Sequence, residues 1–135
     1  MNYKKTFTVK PEHIDCQGIM DGLFYPYYME KTRHAFCEDT FKVDLKGMAE
    51  EGINWIITEY TIKFKKSLTT DDEFEVDCYA ELISPIKVKF EQKMIKDGKV
   101  VTTGTFITTM VNTSGGRPFI LDEVKEKIEE TNKGE

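Results

Sequence analysis

Along the chain the spacing of apolar side chains switches from period two to a helical period and back. Residues 6–10 set Phe7 and Val9 between polar neighbours, the alternation of a short strand, and Pro11 ends it because proline has no N–H to give to a ladder. Residues 11–20 carry no period and read as irregular. From 21 to 41, Leu23, Tyr27 and Glu30, with Phe24, Tyr28 and Ala35, recur at spacings of three and four, which predicts a helix. Asp21 can cap it, and Pro26 is tolerated only near its first turn, so the helix starts close to Gly22. Its opening residues (Leu23, Phe24, Tyr25, Tyr27, Tyr28, Met29) are apolar around much of the circumference, which predicts burial on several sides by a wrapping sheet.

From Trp55 the alternation returns, with Ile56, Tyr60, Ile62 and Phe64 on one face and Thr61, Lys63 and Lys65 on the other. Three further runs repeat it: Phe74 to Leu82, Ile86 to Phe90 and Thr102 to Met110. Asp97-Gly98 between two of these is a hairpin signal, since both central positions of a tight primed turn favour positive φ. After Gly115-Gly116-Arg117-Pro118, a short amphipathic helix opens at Leu121 or Asp122 and runs through Val124 and Ile128, and the charged residues beyond it are expected to fray. The order predicts an α+β architecture in which a helix packs on one face of an antiparallel sheet, in a single domain spanning 1–135.

Composition narrows the function. A hydrophobic content of 39% in 135 residues is enough for one core. No run approaches a membrane span or a signal peptide, so a cytoplasmic protein is expected. A net charge of -5 argues against nucleic acid as a partner, because that binding rests on neutralising phosphates. The three cysteines, Cys16, Cys37 and Cys78, are far apart and odd in number, which suggests neither a disulfide framework nor a zinc knuckle; Cys37 and Cys78 read as core residues.

Asp15-Cys16-Gln17-Gly18-Ile19-Met20, followed by Tyr25, Tyr28, Glu30 and Arg33, resembles the D-x-x-G-x-V and Y-x-x-Y-x-E-x-x-R signature of the 4-hydroxybenzoyl-CoA thioesterase-like family of the hot-dog fold. FKKSLTTDDEFEV and the closing GRPFILDE extend the likeness over nearly the whole chain. His13-Ile14-Asp15 stands where many members carry Asp-x-Asp, and Asp21-Gly22 where many carry Asn-Asn, which weakens transfer of the substrate class. The resemblance implies an antiparallel sheet wrapped around a long central helix, pairing into homodimers or homotetramers, ligands bound at the subunit interface, and hydrolysis of an acyl-CoA without metal or organic cofactor.

It also implies roles. Asp15 matches the catalytic carboxylate, Gly22 the position whose N–H polarises the thioester carbonyl, and Gly18, Tyr25 and Glu30 line the substrate site. Thioester hydrolysis needs a nucleophile or an activated water and donors aimed at the developing oxyanion, and the N-terminus of a helix supplies such donors. The plain alternative is that Asp15 caps a turn and that Glu30, three residues from Arg33 on one helix, merely pairs with it. A metal at His13, Asp15 and Cys16 lacks a second ligand cluster, and Cys16 lacks a clear activating partner for service as a nucleophile. Lys63, Lys65, Lys66, Lys87, Lys89 and Arg117 are candidates for the coenzyme A phosphates, although alternate lysines on strands commonly mark a solvent face. Alternatives of other classes are a hot-dog protein that binds an acyl-CoA or small ligand without cleaving it, an acyl-carrier-protein thioesterase, and a dehydratase of the same fold; the last would want a catalytic histidine near the start of the helix, where His34 does not lie.

Overall fold

The computed structural model describes residues 3–133. Strand β1 (Tyr3–Thr8) leads through a 3₁₀ turn (Pro11–His13) to the long helix α1 (Phe24–Phe41) and a short helix α2 (Leu45–Glu50). Four strands follow, β2 (Ile53–Phe64), β3 (Glu73–Ser84), β4 (Lys87–Lys96) and β5 (Lys99–Asn112), and helix α3 (Asp122–Lys133) closes the chain. The strands form one antiparallel sheet in the order β1-β3-β4-β5-β2. The predicted hairpin joins β4 to β5, with Asp97 and Gly98 at φ 51° and 75° and Lys96 opposite Lys99.

One face of the sheet carries the core. Phe74, Val76, Cys78 and Ala80 of β3, Val88, Phe90 and Met94 of β4, and Phe106 and Met110 of β5 are all buried, as period two requires of a half-covered sheet. Against them lies one stripe of α1, including Tyr25, Tyr28, Met29, Arg33, Phe36 and Cys37. The helix is therefore buried along one broad face rather than on several sides, and Glu30, Lys31, His34 and Glu38 stay exposed. Gly104 of β5 lets α1 approach, since a Cβ there would come within 2.6 Å of the Met29 sulfur.

Several expectations need correction. A β-bulge between Ile57 and Glu59 changes the parity of β2, so Trp55 and Ile57, not Ile56, share a face with Tyr60, Ile62 and Phe64. Helix α2 interrupts a stretch with too short an apolar period to announce it, and Asp44 caps it by accepting from Gly47 N–H. The charged residues after Ile128 continue α3 to Lys133, where the Asn132 amide donates to the Ala80 carbonyl at 3.1 Å. No helix among the described residues is long and apolar enough to cross a membrane.

Candidate functional site

The irregular segment before α1 is a small hairpin. Ile14 and Met20 form an isolated antiparallel bridge, Asp15 N–H donates to the Ile19 carbonyl, and Gly18 N–H returns to the Asp15 carbonyl. Gly18 holds φ at 81°, a conformation that glycine adopts without steric cost. The hairpin is pinned on two sides: Met20 N–H donates to the Leu68 carbonyl, and the Thr69 hydroxyl to the Gly18 carbonyl. Asp15 thus sits half-buried at a fixed point, with Oδ1 accepting Gln17 N–H at 2.8 Å.

The same hairpin delivers the chain to α1. Asp21 N–H donates to the His13 carbonyl, while the Asp21 carboxylate accepts Leu23 N–H and its carbonyl accepts Phe24 N–H. Asp21 thus closes a turn ahead of the helix instead of capping it: regular helix begins at Phe24, not at Gly22, and its N-cap, Leu23, makes no side-chain cap. Gly22 N–H finds no protein acceptor among the described residues, and a Cβ on Gly22 would meet open space. An exposed backbone donor at the positive end of an eighteen-residue helix is thereby left next to the segment that carries Asp15.

His13 turns inward: its Nδ1 lies 2.8 Å from the Tyr28 hydroxyl and its ring stacks on Phe24 at 3.8 Å. It is a packing residue, and among the described residues no group of three His, Cys, Asp or Glu side chains is arranged to hold a metal. Cys16 is exposed, whereas burial raises the thiol pKa of Cys37 to about 12 and that of Cys78 well above its usual value.

Tyr25 is buried, with its hydroxyl accepting Leu68 N–H at 3.0 Å and its ring edge on Phe64 at 5.0 Å. Burial raises its pKa first, and the nearby Asp15 carboxylate adds to the rise, so Tyr25 braces the hairpin from beneath. Arg117 is exposed in the loop after β5, behind Gly115 and Gly116 at φ 99° and 106°. Lys89 approaches Glu91 at 3.5 Å and Glu81 at 3.9 Å, the behaviour of a solvent-face lysine.

Glu30 does not pair with Arg33. It turns to His34 at 3.9 Å, while Arg33 is 5% exposed, donates to Gln92 Oε1 at 3.1 Å and lies 4.3 Å over the Phe106 ring. Residues three apart on a helix are neighbours, but the stripe that faces the sheet takes Arg33 inward and leaves Glu30 at the rim. Glu30, Arg33 and His34 line a half-open pocket of about 240 Å³ whose other walls include Trp55, Ile56 and Ile57 of β2 and Phe90 of β4. Sequence reading placed Glu30 in a substrate site but treated Arg33 only as its pairing partner, and so missed the buried arginine that lines the same pocket.

Residues 9–128 match the sequence profile of the thioesterase-like superfamily. The chain belongs to that superfamily. A hypothetical protein from Aquifex aeolicus has a similar structure at 25% identity and a TM-score of 0.85, with 93% of this chain and 98% of that one covered. Two further similar structures are BH1999 gentisyl-coenzyme A thioesterase, at 22% identity and TM-score 0.83 over 93% and 98% of the two chains, and the DHNA-CoA thioesterase of Staphylococcus aureus, at 18% identity and TM-score 0.87 over 99% and 95%. No curated protein sequence matches the chain. The fold of this superfamily member is the hot-dog fold that the hairpin and helix motifs implied, an α+β structure with the sheet laid on a long helix.

Proposed function

We propose that this protein is an acyl-CoA thioesterase, a single cytoplasmic domain that hydrolyses the thioester of an acyl-coenzyme A to the free acid and coenzyme A. What supports the reading is the pinned hairpin that carries Asp15 into the segment entering α1, where Gly22 N–H has no protein acceptor among the described residues. Asp15 takes a proton from water as the water oxygen attacks the thioester carbon, or attacks that carbon itself to give a mixed anhydride that water then hydrolyses to the free acid; Gly22 N–H and the positive end of α1 hold the oxygen that turns negative. Collapse of the tetrahedral species expels the thiolate of coenzyme A. Gly18 shapes the turn, Tyr25 braces it, Glu30 lines the acyl pocket, and Arg117 with exposed lysines is the place to look for phosphate contacts. Two similar structures named as coenzyme A thioesterases support this ligand class.

The active form is a homodimer or homotetramer. Strand β2 is an edge of the sheet and exposes Ile56, Ile57, Tyr60 and Phe64, an apolar unpaired edge that monomeric proteins avoid. A turnover assay with a panel of acyl-CoA esters, run on wild type and Asp15→Asn, tests the reading: free thiol released by wild type and not by the variant supports it. Binding without release by either would favour the ligand-holding alternative, in which Asp15 only accepts Gln17 N–H and shapes the turn.

A further inference from the structure

Arg33 is a buried cation short of a partner. Its one protein acceptor is neutral, the Gln92 amide oxygen, and among the described residues no carboxylate lies within ion-pairing distance of it. Burying a charge is costly unless it is paired, and an amide oxygen with one aromatic face offsets only part of that cost. Its remaining N–H groups find no protein acceptor among the described residues but are not fully buried, and the residue forms a wall of the 240 Å³ pocket. An anion small enough to enter the pocket can pair with them.

The inner face of β2 shows how such a group would arrive. Phe64, 56% exposed, touches Tyr25 at the start of α1; Tyr60, 55% exposed, stacks at 5.3 Å on the same Phe106 that underlies Arg33; Ile57 and Trp55 then line the pocket. An apolar track thus runs from the end of α1 where Gly22 is open to a cation. The volume lies below the roughly 300–1,000 Å³ of drug-sized sites, so it suits a short chain or one ring rather than a long fatty chain.

We propose that this pocket is the acyl-group subsite and that Arg33 makes it selective for short or ring-sized acyl groups that end in a carboxylate. The inference rests on the thioesterase reading. Succinyl-CoA against butyryl-CoA, and 4-carboxybenzoyl-CoA against benzoyl-CoA, test it. Wild type is expected to favour the carboxylate member of each pair in kcat/KM by about 10- to 100-fold, the range of a hydrogen bond to a charged group, and the ratio should fall toward one in Arg33→Met. Arg33→Lys, which keeps the charge, should retain part of the preference. Arg33→Met removes the charge but also leaves the buried Gln92 Oε1 without its donor, so a modestly lower melting temperature is expected whatever the role of Arg33, and the selectivity ratio is the deciding readout. A lower melting temperature with an unchanged ratio would assign Arg33 to structure alone.

A binding arm separates the two readings. Succinamate, an acid, and neutral succinamide are titrated while the Trp55 indole N–H is followed by NMR. If no thioester is turned over but succinamate shifts that signal in wild type and not in Arg33→Met, the thioesterase reading fails and the pocket stands. If thioesters are hydrolysed without preference and succinamate leaves the signal unmoved, the pocket inference alone is overturned.

Discussion

The Tyr28 hydroxyl and Nδ1 of His13 are 2.8 Å apart inside the protein, which ties the segment that carries Asp15 to the buried stripe of α1. Removing the hydroxyl leaves a buried imidazole nitrogen without its partner. Tyr28→Phe is expected to cost about 1–3 kcal/mol, read from urea unfolding, with the same fold by circular dichroism. A stability equal to wild type would mean that the contact contributes nothing net.

Asp15→Asn is the sharpest chemical test. The side chains are nearly isosteric and the amide oxygen can still accept Gln17 N–H, so the hairpin and the melting temperature should be kept. Turnover of an acyl-CoA should fall by about 10²–10⁴-fold, the usual loss when a general base is removed. Exposed Cys16, mutated to alanine, should change turnover little. Wild-type turnover by Asp15→Asn at saturating substrate would move attention to Glu30.

Asp72 sets an acid limit on stability. Burial alone would raise its carboxyl pKa, but the Lys96 ammonium at 2.9 Å and Thr69 N–H at 2.8 Å outweigh that and hold it below 3.8. With the folded pKa below the unfolded one, the stabilisation is present above the unfolded pKa and is lost as the pH falls through the folded pKa. Asp72→Asn should therefore be less stable than wild type at neutral pH, with the gap closing as the pH drops below 3.8. A gap that persists in acid would point to the turn geometry instead of the charge.

Edge strand β2 predicts self-association. Wild type should sediment as a dimer or tetramer at micromolar concentration, and Ile56→Glu, at a position already exposed in the single chain, should fold and sediment as a smaller species. A wild-type monomer would remove the assembly.

Much of the architecture was legible: the alternation of β3 and β5 records which side of each strand meets the core, whereas the three-four spacing announced α1 but not its buried side, since of the residues that carried it only Tyr28 is buried, and Leu23 and Glu30 are exposed. Asp97-Gly98 announced its hairpin for a local reason, positive φ at both positions. The face of β2 was misread because a bulge at Thr58 inserts one residue and reverses the parity beyond it; Ile56 and Ile57 are both apolar, so the sequence carries no mark of which one points inward. Among the site residues, the short signature from Asp15 to Arg33 brought out Asp15, Gly18, Gly22 and Tyr25, and the structure gathers all four around the hairpin and the helix start.

What the sequence by itself determined is local: the periods, the glycine turns and the order of motifs that marks a thioesterase-like chain. Only the tertiary structure decided the partners of Glu30 and Arg33. A three-residue spacing permits their pairing, but the rotation of α1 on the sheet sends Arg33 under the helix onto Phe106 and Gln92 and leaves Glu30 with His34 at the rim. That rotation is set by packing across strands distant in sequence, with Gly104 admitting Met29, and no period along a single helix encodes it.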